Sequence, residues 1–176
     1  MLDESFQTFD ASGNPTGIAP RSRVHREGLW HCAANVFLFR SDGRLIVQRR
    51  HRGKDICPDT WDLSAAEHLN PGETYEQGAL RGLREELGVE NVVLEPIGDV
   101  ARACLDFADK GIKDYELQQS FRGVFDGEVR PDPSEVCAVD SVALPELAAA
   151  FDTRPSDFTP WFRDTAIRLG FCRGKE

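Results

Sequence analysis

Apolar residues recur along this chain with two periods, and the periods divide it into elements. His31 to Phe39 (HCAANVFLF) is almost continuously apolar, the pattern of a strand covered on both faces. Ser41-Asp42-Gly43 is a hairpin turn signal, and Arg44 to Arg50 reads as the partner strand. His51 to Thr60 is polar, contains a Pro-Asp pair and reads as a loop; Trp61 to Ser64 reads as a short strand. The period changes over Thr74 to Leu87, where Ala79, Leu80, Leu83 and Leu87 fall on one helical stripe. Thr74 and Gln77 stand at capping-box spacing, and Gly88 is placed to stop the helix. Further strands are expected around Asn91–Pro96, Val100–Asp106, Tyr115–Val124 and Glu135–Val142, and helices at Pro145–Phe151 and Thr159–Leu169. Upstream, Glu4–Phe9 reads as a short strand followed by a turn cluster at Ala11–Thr16. Strands mixed with few, separated helices predict a layered α/β (α+β) domain spanning residues 1–176.

Composition narrows the picture. No apolar run approaches the roughly 20 residues of a membrane span, and the start, Met-Leu-Asp-Glu-Ser-Phe, lacks the basic and apolar regions of a signal peptide. A cytoplasmic location is expected. The five cysteines are widely spaced with no Cys-x-x-Cys pair, which argues for reduced thiols rather than a disulfide framework or a structural zinc site. A net charge of −9 repels nucleic acid and anionic membranes, so neither is an expected partner. An anionic ligand would need local cations or metal ions. Nothing in the pattern fixes an oligomeric state.

The chemistry concentrates in Glu67 to Val89, EHLNPGETYEQGALRGLREELGV. Helix positions 82, 85 and 86 share one face, where carboxylates make a hard oxygen cluster suited to Mg²⁺ or Mn²⁺. Glu73 and Arg81 are placed to pair and brace the loop against the helix. The stretch resembles the Nudix box, whose pattern is Gly, five residues, Glu, seven residues, then Arg-Glu-aliphatic-x-Glu-Glu-x-Gly-aliphatic. Glu73, Arg81, Leu83, Glu85, Glu86, Gly88 and Val89 match, seven of nine fixed positions. The resemblance implies a Nudix-type α/β/α sandwich with a mixed sheet. Two positions depart from it: Glu67 stands for the opening Gly, and Gly82 for the Glu after Arg81. Glycine inside a helix costs about 1 kcal/mol relative to alanine. Room for a ligand and drift after loss of activity both account for it, and Glu67 could supply the missing carboxylate from the loop side.

Beyond the box the chain resembles type 1 isopentenyl-diphosphate isomerases and their Nudix hydrolase relatives. The likeness lies in Gly13–Gly17, RVHREGLWH, QRRHRGKDICPDTWDLS and DFTPW. It implies that His25, His31 and His68 are metal-binding histidines, although His25 and His31 lie one residue closer than in the bacterial isomerases. Glu116 would be both metal ligand and acid/base, with Asp114 where another acidic residue is usual. Glu86 would hold a second ion. Arg21, Arg50 and Lys54 would hold the diphosphate, and Trp161 would face the reacting carbon skeleton. Three imidazoles with carboxylates suit Mn²⁺ or Zn²⁺ better than Mg²⁺. Strand alternation puts Glu116, Gln118 and Ser120 on the face opposite Leu117 and Phe121, and sends Arg49 and Arg50 to opposite sides. The isomerases carry a catalytic Cys where this chain has Ala66, and a tyrosine expected before the Glu116 strand is missing, with Cys104 nearby.

These residues support a metal-dependent Nudix hydrolase acting on a diphosphate-containing small molecule, with Glu85, Glu86 and Glu116 as the catalytic carboxylates. The base would be Glu85, Glu67 or Glu116. An isomerase weakened by Ala66 and a non-catalytic diphosphate-binding module are the alternatives. No pair of aromatics marks a nucleobase site.

Overall fold

The protein is described by a computed structural model over residues 4–172. Strands β1 (Ser5–Phe9) and β2 (Pro15–Pro20) form an antiparallel hairpin. Helix α1 (Arg21–Glu27) follows and ends at Gly28, whose φ of 67° is left-handed. Seven further strands build one sheet: β3 (His31–Phe39), β4 (Leu45–Arg50), β5 (Trp61–Asp62), β6 (Ala65–His68), β7 (Glu95–Phe107), β8 (Ile112–Val124) and β9 (Val136–Val142). Helix α2 (Tyr75–Leu87) lies between β6 and β7, and α3 (Leu144–Thr153) and α4 (Pro160–Arg168) close the described chain.

The central feature is β3, which changes antiparallel partner along its length. Near its start it pairs with β6 (Ala33 opposite His68, Asn35 opposite Ala66). At its end it meets β4, Phe39 opposite Leu45. Its other edge runs parallel to β8 throughout, from His31 opposite Glu116 to Phe39 opposite Val124. The sheet is therefore mixed, as expected.

Each face of the sheet carries its own apolar core. Ala34, Val36, Leu38 and Phe121 pack on Ala79, Leu83 and Leu87 of α2. Phe37, Phe39, Leu45 and Val47 pack on Leu147 and Phe151 of α3 and Phe162 and Ala166 of α4. This is the expected α/β/α arrangement, with alternate residues of β3 feeding opposite cores.

Helix α2 begins and ends as its sequence predicts. The Thr74 hydroxyl accepts from the Gln77 amide at 3.3 Å, the Gln77 side chain accepts from the Thr74 amide at 2.8 Å, and Gly88 closes the helix in the left-handed conformation. The stripe differs in one member. Leu80 is 37% exposed, and the buried face is Gly78, Ala79, Gly82, Leu83 and Leu87. Small residues there let α2 lie close on β6 and the residue after it: a β-carbon at Gly78 would come 3.0 Å from Leu69 Cδ1, and one at Gly82 would come 2.9 Å from Glu67 Cβ.

Several elements differ from expectation; strand β2, for one, begins within the turn cluster expected at Ala11–Thr16. Helix α1 (RSRVHRE) has no apolar period to announce it; only Val24 and His25 are buried. The expected strands at Asn91–Pro96 and Val100–Asp106 are one long strand, β7, beginning at Glu95 and broken by a register shift between Ile97 and Ala101. The strand expected at Trp61–Ser64 is the two-residue β5, and β6 follows it unannounced, because AAEH has no alternating pattern of its own. No helix among the described residues is long and apolar enough to cross a membrane.

Leu83 is fully buried between α2 and the sheet. Leu83→Ala is expected to lower the unfolding free energy by about 2–5 kcal/mol in urea titration, whereas Leu80→Ala should change it far less.

Candidate active site

Paired residues in a ladder project to the same face. The β3–β8 register therefore sets His31 beside Glu116, and Asp114, two residues earlier on β8, joins them. The β3–β6 register adds His68 and Ala66 on that face. Helix α1 supplies His25, and the β1–β2 hairpin lays Phe6 over the group. The Phe6 ring stacks on His31 (5.3 Å between centroids, 10° between planes) and lies 4.8 Å from His68.

Four of these side chains offer ligating atoms that all lie within 4.8 Å of one another: His25, His31, His68 and Asp114. From Asp114 Oδ1 the Nε2 atoms of His31, His25 and His68 stand at 3.4, 3.6 and 3.9 Å. Glu116 Oε1 lies 3.0 Å from His68 Nε2 and 4.0 Å from His31 Nε2. His25 Nε2, His31 Nε2 and Asp114 Oδ1 are buried with no hydrogen-bond partner. Buried polar atoms are normally satisfied, so three orphans aimed at one point call for a ligand. In a tetrahedral shell with bonds of roughly 2.0 Å, neighbouring ligand atoms stand about 3.3 Å apart; the Asp114–His31 and Asp114–His25 separations, 3.4 and 3.6 Å, are close to that value, and Asp114–His68, at 3.9 Å, is wider. The donor set fits a divalent cation.

The protonation of two of the three imidazoles agrees with that role. Burial holds the His25 imidazole down to about 4, against the pull of Asp114, and burial with the charge of His31 holds His68 down to about 3. Both are neutral at pH 7, the form that ligates. Burial also works against protonating His31, but Asp114 and Glu116 outweigh it and move that group upward. His31 Nδ1 lies 3.0 Å from the Leu29 carbonyl, so the ring donates there and turns Nε2 to the cluster.

The box helix forms a second group. Arg81 donates to both Glu73 oxygens at 2.9 Å and to the His68 carbonyl at 2.7 Å, so the expected Glu73–Arg81 brace is present and also grips the imidazole strand. The same guanidinium meets Glu67 and Glu85 at 3.3 Å each. Glu85 is exposed and turned toward Arg81 and Arg84, outside the imidazole group. Glu86 is partly buried and accepts from Gln48 Nε2. Burial, reinforced by the charge of Glu67, pushes its carboxyl up to about 8.

The basic residues each rest on a carboxylate: Arg21 on Glu4 at 3.0 Å, Lys54 on Glu135, and Arg50 on buried Asp62 at 3.4 Å. Trp161 Nε1 and the Thr159 hydroxyl also donate to Asp62, at 2.9 and 2.8 Å, and the Arg50 guanidinium lies 5.1 Å from the Trp161 ring centre. Trp161 lines a chamber of about 240 Å³ between β7, β8 and α4, with Gln118, Cys104, Arg102, Asp164 and Arg168. Gln118 donates to Glu116 Oε2 at 2.6 Å, which joins the chamber to the imidazole cluster.

Phe6, Gln48 and Asp62 are not among the expected site residues, although Gln48 and Asp62 fall within QRRHRGKDICPDTWDLS, part of the likeness on which the resemblance rests. Asp114 stands where the resemblance makes another acidic residue usual, but it is not among the expected ligands.

Residues 29–162 match the family model described as the NUDIX domain. The chain belongs to the Nudix family. It is 33% identical over 170 residues to the isopentenyl-diphosphate Delta-isomerase of Burkholderia multivorans, covering 96% of this chain and 94% of that protein. It is 36% identical over 160 residues to the enzyme of the same name from Streptomyces coelicolor, covering 89% and 79%. In three dimensions it is similar to DR0079 from Deinococcus radiodurans (TM-score 0.77, 20% identity, 95% of this chain and 99% of that one). It is also similar to the E. coli dihydroneopterin triphosphate pyrophosphohydrolase (TM-score 0.58, 18% identity, 78% and 93%). At these identities the two structures show the shared fold.

Two outcomes test this description. Titration of metal-stripped protein with Zn²⁺ or Mn²⁺ should raise the melting temperature, and His31→Ala should remove most of that rise; an unchanged rise would place the ion elsewhere. Asp62 has its carboxyl pushed up from 3.8 to about 6 by burial, against the pull of Arg50. The fold then holds its proton more tightly than the unfolded chain does. Its contribution to stability is full below about pH 4 and is lost as the pH rises through about 6. The stability difference between wild type and Asp62→Asn should therefore change by roughly 1–3 kcal/mol between those values and be flat above them.

Proposed function

We propose that the protein is a metal-dependent hydrolase of small molecules that carry a diphosphate. The observation that carries this reading is Ala66. It sits on the sheet face of His68 and opposite Asn35, where the family resemblance calls for a proton-exchanging thiol. A methyl group neither gives nor takes a proton, so an acid–base pair across a carbon skeleton lacks one member there. The chamber beside the cluster has a mixed lining, Arg102, Gln118, Asp164 and Arg168 beside Ala101, Ala103, Leu105 and Trp161, and would receive the organic end of a substrate in either reaction.

In this reading His25, His31, His68, Asp114 and Glu116 hold one cation, Mn²⁺ or Zn²⁺ by their donor type, and Glu86 helps hold Mg²⁺ or Mn²⁺ at the box. Bound cations would neutralise phosphate oxygens and favour attack by water. Lys54 and Arg21 exchange partly exposed carboxylate partners for the diphosphate, at small cost because such pairs contribute about 0–1 kcal/mol. Arg50 stays anchored on Asp62 and presents a fixed charge beside Trp161. A carboxylate takes the proton of the attacking water; Glu67, Glu85 and Glu116 are the candidates.

Isomerisation is the second reading, favoured by the names of the relatives at 33 and 36% identity. Among the described residues Cys104 is the one thiol lining the chamber. Incubation with ADP, UDP-glucose and isopentenyl diphosphate, with Mg²⁺ or Mn²⁺, separates the readings. Release of phosphate or of a phosphorylated fragment, with no movement of the double bond, is expected. Double-bond migration without phosphate release would establish the isomerase instead, and metal-dependent binding of all three without turnover would establish a binding module.

A further inference from the structure

We propose that Glu67 and Gly82 are one exchanged pair: the carboxylate that takes the proton from the attacking water stands on β6, and α2 carries glycine at 82 to make room for it. This rests on the hydrolase reading above and chooses among its three candidate bases.

The contact is steric and reciprocal. Gly82 lies in the buried face of α2, where glycine has no conformational task; it is not among the positive-φ glycines. A β-carbon there would come 2.9 Å from Glu67 Cβ, 3.4 Å from Glu67 Cγ and 3.7 Å from Ala65 Cβ. The first distance is closer than β-carbons approach one another, and the obstruction is the root of the Glu67 side chain, which cannot swing aside. One side chain fits between β6 and α2 at this level. The chain places a carboxylate on the strand and leaves the helix bare.

The other carboxylates nearby have settled partners. Glu73 is held by two donors of Arg81 and by the Asn70 amide. Glu85 is exposed between Arg81 and Arg84. Glu86 accepts from Gln48, and Glu116 lies against His68 and receives Gln118. Glu67 is three-quarters buried, with 22% of its side chain exposed, and its one ion-pair partner among the described residues is Arg81 Nη1 at 3.3 Å. It can accept a further donor without giving up a hydrogen bond. As the water oxygen bonds to phosphorus, its proton passes to Glu67. The bond from phosphorus to the departing oxygen breaks, that oxygen keeps the electron pair, and Glu67 later returns the proton to solvent.

The test uses five full-length proteins: wild type, Glu67→Gln, Glu67→Gly, Gly82→Glu and the double exchange Glu67→Gly/Gly82→Glu. Melting temperature and steady-state kinetics are measured with whichever of ADP, UDP-glucose or isopentenyl diphosphate wild type cleaves fastest. Glu67→Gln keeps the shape, and should keep the melting temperature and KM while kcat falls about 100-fold, the scale of a lost general base. Gly82→Glu alone should melt several degrees lower, because its side chain meets Glu67. The double exchange should regain the melting temperature and recover kcat at least about tenfold over Glu67→Gly, since removing an obstruction couples the two sites. A Glu67→Gln enzyme with kcat near wild type, or a double exchange no better than Glu67→Gly, overturns the catalytic assignment. Additive melting shifts overturn the steric pairing. Wild type that cleaves none of the three probes overturns the hydrolase reading and Glu67's role with it, while the melting temperatures still decide the pairing.

Discussion

The Arg81 guanidinium holds the site together. Its donors reach Glu73, the His68 carbonyl, Glu67 and Glu85, which come from the loop before α2, from β6 and from α2 itself. A planar, permanently charged fork suits this task where a lysine would not, because several acceptors must be met at fixed angles. The grip on His68 is the important one. It ties the acidic helix to the strand carrying one of three clustered imidazoles, so the two candidate ion sites share one rigid frame.

The imidazole cluster is arranged at an energetic cost. Buried nitrogens and a carboxylate oxygen stand 3.4–3.6 Å apart without hydrogen bonds, and unsatisfied buried polar atoms destabilise a fold by about 1–3 kcal/mol each. The Phe6 ring of the β1–β2 hairpin lies against His31 and His68. Such an arrangement is expected where a bound ion offsets the cost, and preorganised ligands are what a catalytic ion needs.

Family membership sets the grip and leaves the reaction to individual side chains. Similarity to proteins named isopentenyl-diphosphate Delta-isomerase covers most of the chain, yet the face beside His68 carries alanine. The neighbouring chamber is walled by polar and apolar side chains alike. On the reading proposed above, the same scaffold would hold a diphosphate for chemistry at phosphorus or for chemistry at carbon, according to which groups meet the substrate's other end.

The sequence by itself determined whatever depends on neighbours along the chain. The limits of α2, its capping box, its Gly88 stop, the Glu73–Arg81 brace and the long buried strand β3 are all local in origin, and all were legible. Helix α1 and strand β6 were not, because each is held by partners distant in the chain: α1 by the hairpin and β8, β6 by β3. The candidate ligands divided the same way. The histidines and Glu116 could be named from their resemblance to a family, but their convergence on Asp114 depends on the parallel β3–β8 register, which aligns residues 85 positions apart. Gly82 is the clearest case. Read along the helix it admits room for a ligand or drift alike; only the approach of β6, within 2.9 Å of where its β-carbon would be, shows what a side chain there would meet.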